Sequence, residues 1–393
     1  MEFSKRMDYF KPGIFSVLAQ MKGDRLRAGM RVIDISVGTP NIPPAQHIVD
    51  TLVDSARDRG NYIYALHDTP ELLDTVSAWY KSRYGVVLDP RTEITSLLGS
   101  QDGLAHIALA VIDAGDTVLV QDPGYPIFSD GPVLAGATLY KMPQKAENGW
   151  LIDLKAIPEA VANKAKFMIV SYPNNPVTSL APPAFYRELA VFAKKYDIIV
   201  LHDNAYSELV FDGQTCGSFL QYEGAKDIGV EFNSLSKTYG LAGARIGFAV
   251  GNSQIIAMLK SLKSNLDYGM FLPIQKAAIA ALSGPQDCVA TTRCAYERRR
   301  NVLVEGLNAI GWQMEKPPAT MFVWAKLPCT YKSSEAFTKE LLDKSGVLVT
   351  PGSAFGEEGE GYVRLALVQD EETLSEAVRL IADSGILNKT SAP

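Results

Sequence analysis

The chain has 393 residues, a formal net charge of −6 and a pI near 5.4, and 47% of its residues are apolar. This length predicts roughly two or three domain-sized units around a large core, and the apolar share is ordinary for a globular enzyme. The acidic balance and the lack of a basic run argue against nucleic acid or an anionic membrane as a partner, which favours small molecules.

The N-terminal stretch and the cysteines indicate in which cellular compartment the protein is expected. "MEFSKRMDYFKPG" lacks the apolar stretch of a signal peptide, and no segment approaches the roughly 20 apolar residues that span a bilayer. We therefore expect a cytoplasmic protein. Cys216, Cys288, Cys294 and Cys329 form no CxxC pair and have no histidines at metal-ligand spacing, so we expect buried, reduced thiols and no metal site.

Alternating apolar segments predict the order of helices and strands. A helix is expected in "AHIALAVIDAG" after Gly103, and the strand "DTVLVQD" follows it and ends at Asp122. Two further strands are expected in "KFMIVSYP" and "DIIVLHDNAY", with the helix "PAFYRELAVFAKKY" between them. Short, continuous apolar strands that alternate with helices indicate a largely parallel sheet that is covered on both faces.

Polar and aromatic side chains follow four of the predicted strands. In open α/β sheets, ligands collect at the carboxyl ends of the strands. The side chains found there are Tyr125 after the first strand, Asn174 and Asn175 after the second, Asp203 and Tyr206 after the third, and Ser234, Ser236 and Lys237 after "DIGVEFNSLSK". One shared pocket at this edge of the sheet would explain all of them.

The residue types in this pocket indicate a particular ligand. Residues 99–101 lie where a loop becomes a helix, so their N–H groups and the positive end of the helix dipole face an anion, beside two serines and Arg245. A strand-end carboxylate pairs with a protonated ring nitrogen, and a lysine in a partly desolvated site forms an imine. Pyridoxal phosphate carries each of the matching groups, so the sequence predicts it as the cofactor.

The C-terminal part shows a second alternation of helices and strands. The helices "ERRRNVLVEGLNAI" and "DEETLSEAVRLIADSG" alternate with the strands "MFVWAKL" and "YVRLALV". We expect an α/β fold with a mostly parallel central sheet in a large domain over residues 46–285. Residues 1–45 and 286–393 are expected to form a smaller α/β domain that closes over bound substrate.

Along nearly its whole length, the chain resembles the class I/II aminotransferases, which are fold type I enzymes that depend on pyridoxal 5'-phosphate. The resemblance rests on segments that follow the family's order: "ISVGTPNIPP", "GSQDGL", "DPGYP", "NNP", "HDNAY", "SLSKTYGLAGARIG", "PGSAFG" and "VRLAL". Its most specific parts are the spacing of eight from Lys237 to Arg245 and of three from Asp203 to Tyr206. The nearest branch holds the LL-diaminopimelate, alanine and aspartate aminotransferase-like enzymes.

The resemblance implies a role for each matched residue. Lys237 would form the Schiff base with the cofactor and move protons, Asp203 would pair with the pyridinium nitrogen, and Tyr206 would hydrogen-bond the ring's phenolic oxygen. The other implied cofactor contacts are Ser100, Gln101, Tyr125, Asn175, Ser234, Ser236 and Arg245. Arg364 would bind the substrate's α-carboxylate through two hydrogen bonds, with Gly38 and Asn175 at the same substrate end.

Three further residues are placed less directly. Tyr64 resembles the family tyrosine that reaches across a homodimer interface to the partner's phosphate. Tyr62 is the alternative, because the segment before "PEL" is one residue shorter than the family pattern. His202 precedes Asp203, and strand alternation sends it to the opposite face, so we expect it to support packing rather than to transfer protons.

The implied reaction moves an amino group between an L-amino acid and a 2-oxo acid by a ping-pong mechanism. The segment "KSNLDYGMF" is closest to the diaminopimelate-like branch and lacks the arginine expected of a strict aspartate enzyme, whereas related diaminopimelate-using enzymes have lysine in place of Gln101. The donor therefore stays open. β-Elimination or C–S cleavage, racemisation and decarboxylation are alternatives on the same fold, and a non-catalytic ligand-sensing domain is a remote one.

Overall fold

The computed structural model describes residues 1–10, 14–328 and 331–388, so Cys329 lies outside the described residues. The α-helices, in chain order, are α1 (Ile14–Arg27), α2 (Gln46–Arg57), α3 (Pro70–Tyr84), α4 (Ser100–Val111), α5 (Ile127–Ala135), α6 (Glu159–Ala162), α7 (Pro183–Tyr196), α8 (Ala225–Ile228), α9 (Leu235–Thr238), α10 (Ser253–Leu266), α11 (Leu272–Ser283), α12 (Asp287–Ala309), α13 (Ser334–Ser345) and α14 (Glu371–Asp383).

The strands form one large sheet and two small ones. In chain order they are β1 (Ile33–Asp34), β2 (Ile94–Leu97), β3 (Thr117–Asp122), β4 (Thr138–Pro143), β5 (Ala165–Ser171), β6 (Ile199–Asp203), β7 (Gly229–Ser234), β8 (Gly247–Gly251), β9 (Phe322–Lys326), β10 (Val347–Leu348), β11 (Thr350–Pro351) and β12 (Tyr362–Ala366). The large sheet has seven strands in the order β2-β8-β7-β6-β5-β3-β4. Its pairs are parallel except for the two that involve β8. The predicted mostly parallel α/β sheet is therefore confirmed.

Helices cover both faces of the large sheet, which is why its strands read as continuous apolar runs. Along β3, Val118 and Val120 belong to the core that includes Ile107 of α4 and Phe128 of α5. The intervening Leu119 belongs to the opposite core, which is built mainly on α3, α7 and α11. This alternation leaves the strand ends as the edge where polar side chains reach a ligand.

The two small sheets join the N-terminal segment to the C-terminal part. β1 pairs in parallel with β10, and β9 and β11 both pair antiparallel with β12. In the latter sheet Arg364 lies opposite Trp324 of β9 and Thr350 of β11. Residues 322 and 364 therefore lie on the same face of this sheet, because cross-strand partners and residues two apart share a face.

Helix α12 begins about ten residues before the predicted "ERRRNVLVEGLNAI". Its buried residues recur at helical spacing: Val289, Thr292, Tyr296, Arg300, Leu303, Val304 and Leu307. Cys294 lies off this stripe and is exposed, while Cys216 and Cys288 are half-buried; all three are free thiols. The expectation of buried thiols is therefore wrong for Cys294, since its helix face points to solvent.

The residues that the structure describes include no helix with the length and apolar character needed to cross a membrane.

Candidate active site

A cavity of about 350 Å³ opens at the carboxyl ends of β3, β5, β6 and β7. All of the predicted site residues except Asn174 and Tyr64 line it: Gly38, Ser100, Gln101, Tyr125, Asn175, Asp203, Tyr206, Ser234, Ser236, Lys237, Arg245 and Arg364. These strands are neighbours in the sheet, so loops that are far apart in sequence meet at one edge.

Three lining residues were not predicted: Val37, Ala205 and Phe322. Val37 and Ala205 directly precede the predicted residues Gly38 and Tyr206, so their place in the sequence could have indicated that they line the cavity. Phe322 lies on β9, in a segment whose sequence predicts an apolar strand and gives no indication of a site. It fixes the identity of Gly38, because a Cβ atom at that position would collide with the Phe322 ring.

An anion cradle lies where β2 runs into α4. Gly99, at a φ of 83°, caps α4, and a Cβ atom there would collide with the Arg245 guanidinium. Arg245 itself has a φ of 53°, a left-handed conformation that non-glycine residues seldom adopt and that clusters at functional sites. Its guanidinium donates to the carbonyl oxygens of Ala242 at 3.0 Å and Leu98 at 3.4 Å. A positive charge therefore faces the free N–H groups of the helix start.

The second side of the cradle is the turn between β7 and α9. The Ser234 hydroxyl accepts a hydrogen bond from the Ser236 N–H at 3.2 Å and caps the short helix that carries Lys237. A Cβ atom on Gly247 would lie only 2.9 Å from the Ser100 nitrogen, so glycine allows this turn to approach α4 closely. Hydroxyls and backbone donors from two distant segments thus converge on one anion-sized space.

Asp102, His106 and Asp267 have a spacing that suits metal ligands, but an ammonium group joins their carboxylates. Lys263 donates to Asp102 at 2.5 Å and to Asp267 at 2.6 Å. Asp102 also accepts from the Leu98 N–H at 2.9 Å. This cluster therefore holds the loop that leads into the anion cradle.

Asp203 ends strand β6 at the back of the cavity and is 6% exposed. Burial raises the pKa of its carboxyl group to about 6, although the Ala205 N–H, at 3.3 Å, and the charges of His202 and Lys237 oppose this shift. The carboxyl group is therefore ionised at neutral pH. Holding this charge in a buried site costs free energy, which a cationic ligand would offset.

This raised pKa predicts how Asp203→Asn changes the stability of the cofactor-free protein. The pKa of this carboxyl group is about 6 in the folded chain and 3.8 in the reference state. Its contribution to the free energy of unfolding is therefore fully present below about pH 4 and is lost as the pH rises through about 6. At pH 8 the asparagine variant should be more stable by roughly 1–3 kcal/mol, and the difference should vanish near pH 4. Urea unfolding at both pH values measures it.

The control for this prediction is Asp50→Asn, at an exposed carboxylate on α2. It should leave the stability of the folded chain within about 0.5 kcal/mol at either pH. Equal stability of wild type and Asp203→Asn at pH 8 would contradict the desolvation of Asp203.

Lys237 projects from α9 into the same cavity. Its Nζ lies 3.4 Å from the Gly38 carbonyl oxygen and 6.0 Å from the centre of the Tyr206 ring. Burial, followed by the charges of Arg364 and Arg245, lowers the pKa of the amine to about 8, while Asp203 raises it. A useful fraction of this lysine is thus the neutral, nucleophilic amine near neutral pH.

Arg364 forms the opposite wall and is 4% exposed. Its guanidinium lies 4.1 Å from the centre of the Phe322 ring and 4.5 Å from that of Phe355. It donates to Asn175 Oδ1 at 2.9 Å and to the Ser36 carbonyl oxygen at 3.1 Å. Within the described residues its buried Nε has no acceptor and no carboxylate pairs with it. A buried guanidinium in this state is a receptor for a carboxylate.

Two tyrosines border the space between these groups. The Tyr125 hydroxyl donates to Gln101 Oε1 at 3.0 Å, which ties the loop after β3 to the start of α4. The Tyr206 ring packs edge-on against Phe322 at a centroid distance of 5.9 Å. Burial raises the pKa of both phenols, so each is a neutral hydrogen-bonding group at physiological pH.

Tyr64 lies outside the cavity of the single chain and is 80% exposed. Its ring packs edge-on against Tyr268 at 5.6 Å. The Tyr62 ring packs on Phe271 at 5.2 Å, and its hydroxyl donates to the Ala56 carbonyl oxygen at 2.9 Å. The hydroxyl of Tyr62 is thus bound within its own chain.

The family model for aminotransferase class I and II matches residues 31–381. The chain belongs to this family. LL-diaminopimelate aminotransferase of Moorella thermoacetica is 44% identical to this aminotransferase over 379 residues, which are 96% of this chain and 97% of the relative. The enzyme of the same name from Halothermothrix orenii is 43% identical and covers 98% of this chain and 99% of its own.

Solved structures agree with this assignment. Substrate-bound BacF from Bacillus subtilis superposes on this aminotransferase with a TM-score of 0.94 at 37% identity, covering 98% of both chains. A mutant aspartate aminotransferase from Thermus thermophilus superposes with a TM-score of 0.92 at 25% identity, covering 98% of this chain and all of its own. The predicted family and fold type I architecture are thereby confirmed.

The predicted cofactor and reaction follow from the family. The aminotransferase uses pyridoxal 5'-phosphate and exchanges amino groups between amino acids and 2-oxo acids. It is an enzyme of amino-acid metabolism, which sets aside the ligand-sensing alternative.

The cavity of this aminotransferase fits the cofactor on its own chemistry. Cβ atoms at Gly99 and Gly247 would collide with the Arg245 guanidinium and with the Asn233 and Ser100 backbone, so glycine lets the donors of the anion cradle converge. The buried Asp203 carboxylate gains from a cationic ring nitrogen, and Lys237 supplies an amine of lowered pKa for the aldehyde. The donor set therefore matches the phosphate, the ring nitrogen and the aldehyde of pyridoxal phosphate.

Proposed function

We propose that the cavity residues divide the work of amino transfer among themselves. Lys237 would hold the cofactor covalently, and Asp203 would pair with its ring nitrogen. Tyr206 and Asn175 would hydrogen-bond the ring's phenolic oxygen, with Tyr125 against the ring face. The phosphate would be held by Ser100, Gln101, Ser234, Ser236 and Arg245. The observation that carries this proposal is that a lysine of lowered pKa, a buried carboxylate and a buried guanidinium share one cavity.

When bound, the cofactor supplies an electron-withdrawing ring that stabilises negative charge at the substrate's Cα atom. Asp203, ionised above about pH 6, keeps the proton on the ring nitrogen. The Lys237 amine, with a pKa of about 8, would take the proton from the substrate's Cα atom and deliver a proton to the cofactor's C4′ carbon. Arg364 and Asn175 orient the α-carboxylate, and Gly38 leaves room for the substrate beside Phe322.

We propose LL-diaminopimelate as the amino donor and a 2-oxo acid as the acceptor. Support comes from curated relatives of that name that are 42–44% identical along nearly the whole chain. A second candidate is an uncharged aromatic or aliphatic L-amino acid. It is favoured by the neutral amide of Gln101 and by the aromatic rings of Phe322 and Phe355 beside Arg364.

A donor panel tests this assignment. The purified holoenzyme is mixed with LL-diaminopimelate, L-phenylalanine, L-alanine or L-aspartate, and conversion of the imine absorption to that of the pyridoxamine form is followed in a single turnover. LL-diaminopimelate should exceed the other donors by about tenfold or more in kcat/KM, a difference of about 1.4 kcal/mol. Faster conversion by L-phenylalanine would favour the second candidate, and pyruvate release without conversion would reject transfer.

We also propose a homodimer in which Tyr64 reaches the partner's phosphate. Exposed apolar side chains cluster around this residue, namely Tyr62, Ile63, Leu66, Tyr268 and Phe271. Such patches mark interaction surfaces. The Tyr62 hydroxyl already donates to the Ala56 carbonyl oxygen, whereas the Tyr64 side chain is mostly exposed, which favours Tyr64 for the contact.

Tyr64→Phe should weaken pyridoxal phosphate binding by about fivefold to tenfold, because one hydrogen bond to a charged group is lost. Tyr62→Phe is the matched control and should change the affinity less than twofold. Fluorescence titration of the cofactor-free variants gives both dissociation constants, and sedimentation shows whether the dimer persists. The reverse pattern would assign the contact to Tyr62, and a monomeric wild type would refute the shared site.

The proposed division into domains places residues 46–285 in the large domain and residues 1–45 with 286–393 in the small one. The pairing of β1 with β10 supports the second grouping, as does a core cluster that joins Ile33 and Ile35 to residues of α12, α13 and α14. A cytoplasmic location is proposed because the three described cysteines are unpaired, as is usual in a reducing compartment.

A further inference from the structure

A fully buried polar network lies behind Asp203. His202, the preceding residue of β6, does not line the cavity and faces Glu231 of β7, its registered neighbour in the sheet. The His202 Nδ1 atom is 2.9 Å from Glu231 Oε2, and neither side chain is exposed to solvent. Two ionisable groups buried in the middle of a sheet are costly unless each compensates the charge of the other.

Glu231 is surrounded by hydrogen-bond donors. Besides His202, the groups that donate to its two oxygens are the Tyr80 hydroxyl at 3.0 Å, the Asn204 amide at 3.1 Å, the Ser218 hydroxyl at 2.8 Å and the Phe219 N–H at 3.0 Å. The Phe219 N–H and the Asn204 amide nitrogen can only donate, and four donors besides His202 surround the two oxygens, which is the environment of a carboxylate rather than of a protonated carboxyl group. Glu231 is therefore an ionised acceptor.

The other nitrogen of His202 also faces an acceptor. His202 Nε2 lies 3.1 Å from the Tyr172 carbonyl oxygen, which has no hydrogen to give. The Tyr186 hydroxyl is 3.4 Å from Nε2 and donates to the same carbonyl oxygen at 3.3 Å, so it too is free to accept. Hydrogens on both ring nitrogens satisfy these contacts, and that form of the ring is the imidazolium.

We propose that His202 is an imidazolium paired with Glu231, and that this buried ion pair is a positioning element that keeps the Asp203 carboxylate ionised for the cofactor's ring nitrogen. This inference rests on the role proposed above for Asp203. The positive ring adjoins Asp203 in the chain, whereas the Glu231 carboxylate lies beyond it on β7. The charge of His202 lowers the pKa of the Asp203 carboxyl group, and the opposing charge of Glu231, which raises that pKa, has the smaller effect.

The other charged and titratable groups around the network do not replace this charge. Burial raises the pKa of each neighbouring phenol and thiol, so these groups stay neutral at physiological pH: Tyr80 and Tyr84 on α3, Tyr186 on α7, Tyr172 after β5, and Cys216. On the cavity side, Lys237 also favours the ionised form of Asp203. Arg245 and Arg364 also line the cavity, but the charges that lower the pKa of the Asp203 carboxyl group most are those of His202 and Lys237.

The ion pair can be tested without the cofactor. The chain has four histidines, so nitrogen-15 labelling of histidine in the cofactor-free protein gives few ring signals, and His202→Gln identifies the one of interest. Both ring nitrogens of His202 should carry a proton at pH 7, because one faces the Glu231 carboxylate and the other faces the Tyr172 carbonyl oxygen. In Glu231→Gln the same ring should be neutral at pH 7. A neutral His202 ring in the wild type at pH 7 would overturn the proposal.

The effect on Asp203 is tested by measuring cofactor affinity against pH. Glu231→Gln and His202→Gln should bind pyridoxal phosphate about tenfold more weakly at pH 7, and the pH below which affinity falls should rise by about one unit. The matched control, Tyr80→Phe, removes one donor to Glu231 without changing either charge and should keep the wild-type pH profile. Unchanged pH profiles in both charge variants would overturn the positioning role.

Asp203→Asn separates this inference from the proposed function. If that variant binds pyridoxal phosphate with wild-type affinity at every pH, the role of Asp203 itself fails, and the positioning role of His202 fails with it. If Asp203→Asn weakens binding while His202→Gln and Glu231→Gln do not, only the inference about the ion pair is refuted. A folding defect in either charge variant leaves the wild-type nitrogen signals as a decisive measurement.

Discussion

Lys237→Ala is expected to reduce amino transfer by about 10⁴-fold or more, because the covalent attachment and the proton transfer at Cα are lost together. Among the described residues, Lys237 is the lysine that lines the cavity. The purified variant should also lack the imine absorption of the holoenzyme. Single-turnover spectra and steady-state rates with the best donor measure both effects.

Two further variants sharpen this test. Lys237→Arg keeps the positive charge but has no amine of suitable pKa, so it should be as inactive as the alanine variant if attachment and proton transfer are the functions of the residue. Lys194→Ala, at an exposed lysine on α7, is the control and should retain full activity. Substantial turnover in Lys237→Ala would refute the assignment of this residue.

Arg364→Lys is expected to lower kcat/KM by about 10²-fold to 10³-fold, mainly through a higher KM for every amino donor and oxo-acid acceptor. The guanidinium is held between Phe322 and Phe355 and fixed by Asn175 and Ser36, with one nitrogen free of acceptors in the described part of the chain. An ammonium group cannot reproduce its planar, two-pronged hydrogen bonding. Steady-state kinetics across the donor panel measure the loss.

The pattern across substrates distinguishes this role from a general loss of structure. All donors share the α-carboxylate, so Arg364→Lys should weaken them by similar factors and leave their order unchanged. Arg379→Lys, at an exposed arginine on α14, should have kinetics like those of the wild type. A variant that changes the order of the donors without raising KM throughout would assign Arg364 to the substrate side chain instead.

The central sheet was predictable because its strands are covered by helices on both faces. Strands β3, β5 and β6 therefore appear as short apolar runs, and the predicted segments coincide with the observed strands to within about three residues. The helix after the anion cradle begins at Ser100, within the loop-to-helix transition predicted at residues 99–101, although the apolar run of this helix starts only later because its first turn is polar. Apolar patterns mark only the buried part of a helix.

The gathering of most cavity residues at one edge was also predictable, because parallel strands place their carboxyl ends together. Asp203, Ser234 and Lys237 follow adjacent strands and required only that rule. Arg364 and Gly38 were placed by resemblance alone, since no local pattern links residue 364 on β12 to the end of β6. Phe322 had no signal, because its contact with Gly38 crosses almost the whole length of the sequence.

The amino-acid sequence by itself determined most of the elements, the largely parallel character of the sheet and the type of cofactor, because apolar periodicity and the residues that end each strand are local properties. Only the tertiary structure decided the chemical state of the site. The pKa values of Asp203 and Lys237 depend on burial and on charges from distant segments. The hydrogen-bond partners of His202 and Glu231 likewise come from distant segments, namely α3, α7 and the loop before β7. Desolvation and charge pairing act through space, so they become defined only when the chain has folded.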